Sequence, residues 1–345
     1  MENKMFCFQC QETARGTGCI MKGVCGKDAA TACSMDLLLF VTRGISAVAE
    51  TLRKNEIDVD AKVDRFVVDA LFSTITNANF DIESIRRRVD KALSLRDSLK
   101  DTAAVHGIEL PHVDEVTWSG TRDDYDAKAR EVGVLHETDE DKRSLKELIV
   151  YGLKGMAAYV EHAMRLGHND TAIHHFMQSA LAETAYNRMS VAELTELALK
   201  TGEVGVHAMA LLDTANTSSY GHPEATTVDI GVRNRPGILI SGHDLKDLEM
   251  LLEQTEGTGV DVYTRRDAPC TLLSGIQEIR TLRRQLRQCM VEAARGVRIV
   301  QRSDTFHDQL HRSAAAQRRL QEPHVHHKLD RIPWLPPHRN RRKRT

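Results

Sequence analysis

The strongest constraint on this chain is a run of four cysteines near its start: Cys7, Cys10, Cys19 and Cys25, within CFQCQETARGTGCIMKGVC. Their spacing, C-x2-C-x8-C-x5-C, brings four soft thiolate donors into one short segment. That segment is polar, glycine-rich and too irregular for a helix or a strand. Gly16, Gly18, Gly23 and Gly26 let it fold tightly, because glycine takes positive φ without a Cβ clash. Four thiolates from one loop suit a cubane iron–sulfur cluster or a tetrahedral zinc. Only the first pair has the knuckle spacing usual for zinc, so the pattern favours iron–sulfur and leaves zinc open. A disulfide framework is disfavoured, since Cys33 makes the nearby count odd.

At 345 residues the chain has room for two domains and a sizeable core. The start, MENKMF, has no apolar signal region, and no run of about 18 apolar residues predicts a membrane span. A cytoplasmic protein with reduced thiols and no membrane contact is expected. The net charge of −2 averages two unlike parts. Residues 265–345 hold 19 Lys+Arg against 7 Asp+Glu, which leaves 28 basic and 42 acidic residues in 1–264. Such a break marks either a functional basic tail or sequence of different origin.

Apolar residues recur at helical spacing over 36–54, 61–79 and 82–100. A longer helix is predicted over 142–166, with Leu145, Leu148, Ile149, Met156 and Val160 on one face and Gly167 as its stop. The next runs from an Asp170 N-cap to about 187, with His174-His175 on its solvated surface. Another opens at Ser190, where Glu193 completes a capping box. Residues 105–135, with Pro111, Trp118 and Gly120, read as loop. Beyond about 220 the pattern changes. GILISG (237–242) reads as a buried parallel strand, 244–254 as a helix and 261–263 as a second strand. The predicted architecture is mainly α. A cysteine-rich loop (1–35), suited to iron–sulfur or zinc, precedes a helical bundle (36–222) and the start of a Rossmann-like α/β domain (223–264), whose truncation and whose iron–sulfur loop are what the resemblance described next implies.

MFCFQCQETARGTGCIMKGVCGK, DLLLFVTRGI, TITNANF, SLKELIVYGLKG, MALLDTANTSSYGHPE, GILISGHDLKD and QTEGTGVDVYT together closely resemble the hybrid cluster protein family, also called the prismane or hydroxylamine reductase family. The resemblance spans 1–264 nearly end to end. It implies a helical domain followed by two α/β domains, in an oxidoreductase that reduces hydroxylamine, or nitric oxide in some members. It implies that Cys7, Cys10, Cys19 and Cys25 ligate a proximal 4Fe–4S cluster, and that His243 is a ligand of a second, hybrid iron–sulfur–oxygen cluster. The end of a buried strand is where α/β folds place ligands. The implied partners are a small-molecule substrate and a redox protein as electron donor, with no nucleic acid.

After Thr264 the resemblance stops. Family members continue VYT with HGEMLPA, supplying a glutamate ligand; this chain continues RRDAPCTLLSGIQEIRTLRRQ. Plausible codons for Arg265 to Pro269, CGG CGA GAT GCT CCC, read Gly-Glu-Met-Leu-Pro once the first base is dropped. The same offset carries on into a family-like string, so 265–345 reads as an out-of-frame tail. The missing glutamate then lies across the codons of Arg266 and Asp267, and a missing cysteine across those of Leu310 and His311. On this reading Cys270, Cys289, the His324-to-His327 run and the basic Arg339-to-Arg344 stretch are by-products of frame. Of the hybrid-cluster ligands only His243 remains, which predicts no turnover from this polypeptide as written. The alternatives are a non-enzymatic 4Fe–4S electron carrier, a structural zinc module and a basic-tailed nucleic-acid binder. Within the matching part, Cys33 reads as a small core residue.

Overall fold

The computed structural model describes residues 5–10, 13–75, 79–223, 233–240 and 244–264. Among them the chain is mainly α-helical, as the periodicity predicts. The first long helix, α1 (Ala29–Lys54), begins seven residues before the predicted start at 36. Asp28 caps it, accepting the Thr31 N–H at 2.7 Å. The first turns, AATACSM, carry small side chains and so show little amphipathic period.

Around α1 pack α2 (Ala61–Ile75), α3 (Ile82–Val105) and α7 (Thr171–Ala185), while α6 (Glu140–Arg165) packs on α2 and α7 and, along most of its length, on α8 (Val191–Tyr220). Leu37, Leu38, Val41, Ile45, Val48 and Leu52 of α1 are all fully buried, so this helix is the core on every side. By length and hydropathy α1 could cross a membrane, which the sequence reading did not anticipate; 89% of that window is buried inside the protein. The Asp170 cap and the Ser190–Glu193 capping box form as predicted, and Gly167 turns the chain at φ 81°.

Within the helical part further expectations are corrected. The predicted loop over 105–135 contains two short helices, α4 (Asp114–Thr117) and α5 (Tyr125–Glu131), and a 3-10 turn at Val134–His136. Helices this short are marginal alone; here buried Arg96 holds the chain by donating to the Glu115 and Trp118 carbonyls at 2.9 and 2.6 Å. Leu148 does not share the buried face of α6. It is exposed, on an apolar groove between α6 and α8 with Leu199 and Met209. His174 is buried rather than solvated, because α7 packs on α1, α2 and α6 as well as α8.

The chain then forms β1 (Gly237–Ile240), α9 (Leu245–Thr255) and β2 (Asp261–Thr264). The strands pair in parallel, from Gly237 opposite Asp261 to Ile240 opposite Thr264. Contrary to expectation, β1 is not buried: Gly237 is exposed and the next three residues are half-buried. Among the described residues the sheet has only these two strands, so little covers β1. Leu245, Leu248, Leu251, Leu252 and Val262 form a small core with Tyr220 from the end of α8. Arg165, at the end of α6, ties this unit down through Asp244 at 2.6 Å and Asp247 at 3.4 Å.

Candidate metal centre

The cysteine segment folds back on itself in front of α1. Cys7 and Cys19 face each other in an isolated antiparallel bridge, with Cys7 N–H to Cys19 O at 3.0 Å and Cys19 N–H to Cys7 O at 2.8 Å. Directly opposed residues in such a pair project their side chains to the same face. Gly18 makes the close return possible: its φ is 142°, and a Cβ there would lie 2.6 Å from the Phe6 ring. Phe8, next to Cys7, stacks on Tyr151 of α6 at 6.4 Å between ring centres.

All four loop cysteines are free thiols: Cys19 is buried, Cys7 and Cys10 are half-buried and Cys25 is exposed. Burial pushes the Cys7 thiol up, more than the Gln9 backbone N–H and the Lys27 charge pull it down. Burial also raises Cys19, but the backbone N–H groups of Ala14 and Val24 and the Thr13 hydroxyl together hold it below the ordinary thiol value. Thr13 Oγ1 lies 3.7 Å from Cys19 Sγ and donates to the Cys7 carbonyl at 3.0 Å. Gly18 is one of the glycines the sequence marks, whereas Thr13 and the anchoring ring of Tyr151 carry no such mark. A threonine inside a cysteine loop is the signal that could have found Thr13.

Among the described residues, no three His, Cys, Asp or Glu side chains converge as a site for one ion. A tetrahedral zinc draws its four sulfurs to about 2.3 Å from one centre, whereas a cubane binds each thiolate to a different iron. The donor chemistry fits the cluster: four free thiols from one segment, one already stabilised toward thiolate by hydrogen bonds. His243 lies outside the described residues, as do Cys270, Cys289, the His324-to-His327 run and the whole of 265–345. Its sequence neighbour Asp244 caps α9, accepting the Asp247 N–H at 2.9 Å. Burial raises Asp244, yet His162 at 3.0 Å, Asp247 and Arg165 hold it down at about 2. Cys33, on α1, packs half-buried against the main core, consistent with a structural role.

Beneath the loop lies a second group of charges. Lys154 of α6 is buried, and burial pulls its ammonium below the ordinary range. Asp36 of α1 is pushed the other way by burial, while the charge of Lys154 opposes that rise. Arg43 joins Glu147 at 3.4 Å and donates to Thr184 at 3.1 Å.

Comparison with known proteins concerns the chain as a whole. The Prismane/CO dehydrogenase family model matches residues 5–286, which runs past Thr264. Hydroxylamine reductase of Porphyromonas gingivalis (strain W83) is 57% identical over 265 residues, covering 76% of this chain and 48% of that protein. Hydroxylamine reductase of Clostridium perfringens is 58% identical over 264 residues, covering 75% and 48%. The chain therefore spans about half the length of the curated relatives it matches. A carbon monoxide dehydrogenase from Thermococcus sp. AM4 aligns over 76% of this chain and 40% of its own, at 16% identity and a TM-score of 0.21. That score gives the likeness no structural weight. The family binds iron–sulfur clusters, and on the strength of the family match this chain belongs to the Prismane/CO dehydrogenase family.

Proposed function

We propose that Cys7, Cys10, Cys19 and Cys25 hold a 4Fe–4S cluster in an oxidoreductase that reduces hydroxylamine. The observation that carries this reading is the coincidence of two facts: 57% identity to hydroxylamine reductase over 265 residues, and one short loop that carries four free thiols, with Cys7 and Cys19 paired across it. When bound, the cluster supplies one-electron transfer at low potential. The reaction takes two electrons and two protons, converting hydroxylamine to ammonia and water; nitric oxide is the alternative substrate. The protein's own part would be to hold the cluster through the four loop thiols, to tie that loop to α6 through Tyr151, and to pass on electrons received from a redox protein. His243 is proposed as a ligand of a second, hybrid cluster, next to the Asp244 cap of α9. A cytoplasmic location suits the free thiols.

The departure after Thr264 favours a second reading for this polypeptide: an electron carrier with one cluster and no turnover, whose tail is read out of frame. Anaerobic purification tests the shared part. A brown protein with about four iron and four sulfide per chain is expected; a colourless protein with one zinc overturns both readings. Hydroxylamine-dependent oxidation of a reduced dye then separates enzyme from carrier. Resequencing the gene across the Thr264 codon tests the tail, since an intact frame there removes the frameshift.

A further inference from the structure

Thr13 touches three of the four loop cysteines. Its backbone N–H donates to the Cys10 carbonyl at 3.1 Å, and its hydroxyl donates to the Cys7 carbonyl at 3.0 Å. The same hydroxyl oxygen lies 3.7 Å from the sulfur of buried Cys19. The turn from Cys10 to Thr13 and the bridge between Cys7 and Cys19 therefore meet at one side chain. The Cys7 carbonyl does not depend on that hydroxyl, because it also accepts the Cys19 N–H at 2.8 Å. A hydroxyl has a single proton, which rotates to suit its neighbours, and two lone pairs that accept. Thr13 can thus give up its bond to Cys7 without leaving that carbonyl unsatisfied.

Toward a protonated thiol at Cys19 the Thr13 oxygen can accept. A sulfur bound to iron is a thiolate with no proton, so it can only accept. The hydroxyl beside it is then in place to donate. Hydrogen bonds to the ligand sulfurs are among the factors that set the potential of an iron–sulfur cluster. Each electron accepted adds negative charge to those sulfurs, so a donor aimed at one of them stabilises the reduced form more than the oxidised form. The backbone N–H groups of Ala14 and Val24 reach the same sulfur, but a side-chain substitution leaves them in place. Thr17, in the same loop, donates its hydroxyl to the Ala14 carbonyl at 3.1 Å instead.

We infer that Thr13 is a positioning residue of the cluster loop: it fastens the Cys7 and Cys10 segments, and its hydroxyl donates to the Cys19 sulfur when iron is bound, raising the reduction potential of the site. The inference rests on the proposed cluster reading. The test is an anaerobic redox titration of the full chain with dithionite as reductant, monitored by the electron paramagnetic resonance of the reduced cluster. Thr13→Val keeps the branched shape and removes the hydroxyl. In it the ratio of reduced to oxidised cluster at a fixed potential is expected to fall about threefold, a drop of about 28 mV in midpoint at about 59 mV per tenfold for a one-electron couple. Thr13→Ser restores the wild-type midpoint, and Thr17→Val leaves it unchanged. If Thr13→Val loses its iron while Thr13→Ser keeps it, the hydroxyl is required to assemble the ligands and the inference holds. A Thr13→Val protein with its cluster and an unchanged midpoint overturns it. So does an equal shift in Thr17→Val, or iron loss from both Thr13 variants, which would assign Thr13 to packing. A wild-type chain without a cluster is a different failure, that of the proposed function itself, and the inference falls with it.

Discussion

The Tyr151 hydroxyl, midway along α6, donates to the carbonyl of Gln9 at 2.6 Å. Gln9 lies between Cys7 and Cys10, so this bond ties the first cysteine pair to the helical bundle. Tyr151→Phe removes it while keeping the ring that stacks on Phe8. One such bond contributes about 0.5–1.5 kcal/mol. Iron loss to an added chelator should then be roughly 2- to 10-fold faster, with the melting temperature of the bundle almost unchanged.

The cysteines should separate cleanly by role. Serine at Cys7, Cys10, Cys19 or Cys25 is expected to remove most of the iron, sulfide and visible absorption. Cys33→Ser should keep all three. Burial, then the nearby Asp36 charge, pushes the Cys33 thiol up to about 11, so at neutral pH it stays protonated and is a poor metal ligand. Loss of the cluster from Cys33→Ser, with the fold intact, would sink this assignment.

The crossing of α1 and α4 is tight enough to be tested by one methyl group. A Cβ on Gly44 would fall 1.9 Å from the Glu115 carbonyl oxygen, against backbone that cannot swing aside. Gly44→Ala should cost about 1–3 kcal/mol in urea unfolding. Arg96→Met should cost about as much, because it strips the Glu115 and Trp118 carbonyls of their buried donor. Both changes loosen the same contact, so the double variant should lose less than the sum.

Stability should fall with pH through His174. Its ring is buried in α7, and Nδ1 has no hydrogen-bond partner among the described residues. Burial holds its pKa below the ordinary 6.5. The unfolded chain therefore takes up the proton first, so this contribution is complete above about pH 6.5 and is lost as pH falls below it. The loss is at most about 1.4 kcal/mol per pH unit. Urea midpoints at pH 7.5 and 5.5 check it: the wild type should drop more than His174→Leu.

Features that depend on neighbours in sequence were readable before the fold. The Asp170 cap, the Ser190–Glu193 box and the Gly167 stop each involve residues within one helical turn, where side chain and backbone decide the outcome together. The start of α1 was misplaced because Ala29 to Met35 carry no strong apolar period, although Asp28 was a legible cap. The short helices α4 and α5 are not legible in the sequence, since α4 depends on Arg96 from α3 and on the space left by Gly44, and α5 on packing against α1. His174 misled for the same reason: its period marks a helix, but only the packing of neighbouring helices buries it.

By itself the sequence determined the soft-donor chemistry of the cysteine loop, the helical class of the chain and, through its specific motifs, the family. These rest on residue type, spacing and local hydrogen bonding. Only the tertiary structure decided that Cys7 and Cys19 are paired in an isolated bridge, that Tyr151 anchors the loop 142 residues away in sequence, and that the Lys27 side chain is buried against Met35. Burial and long-range contacts are properties of the assembled core, where the dielectric and the partners of each polar group are set by distant parts of the chain.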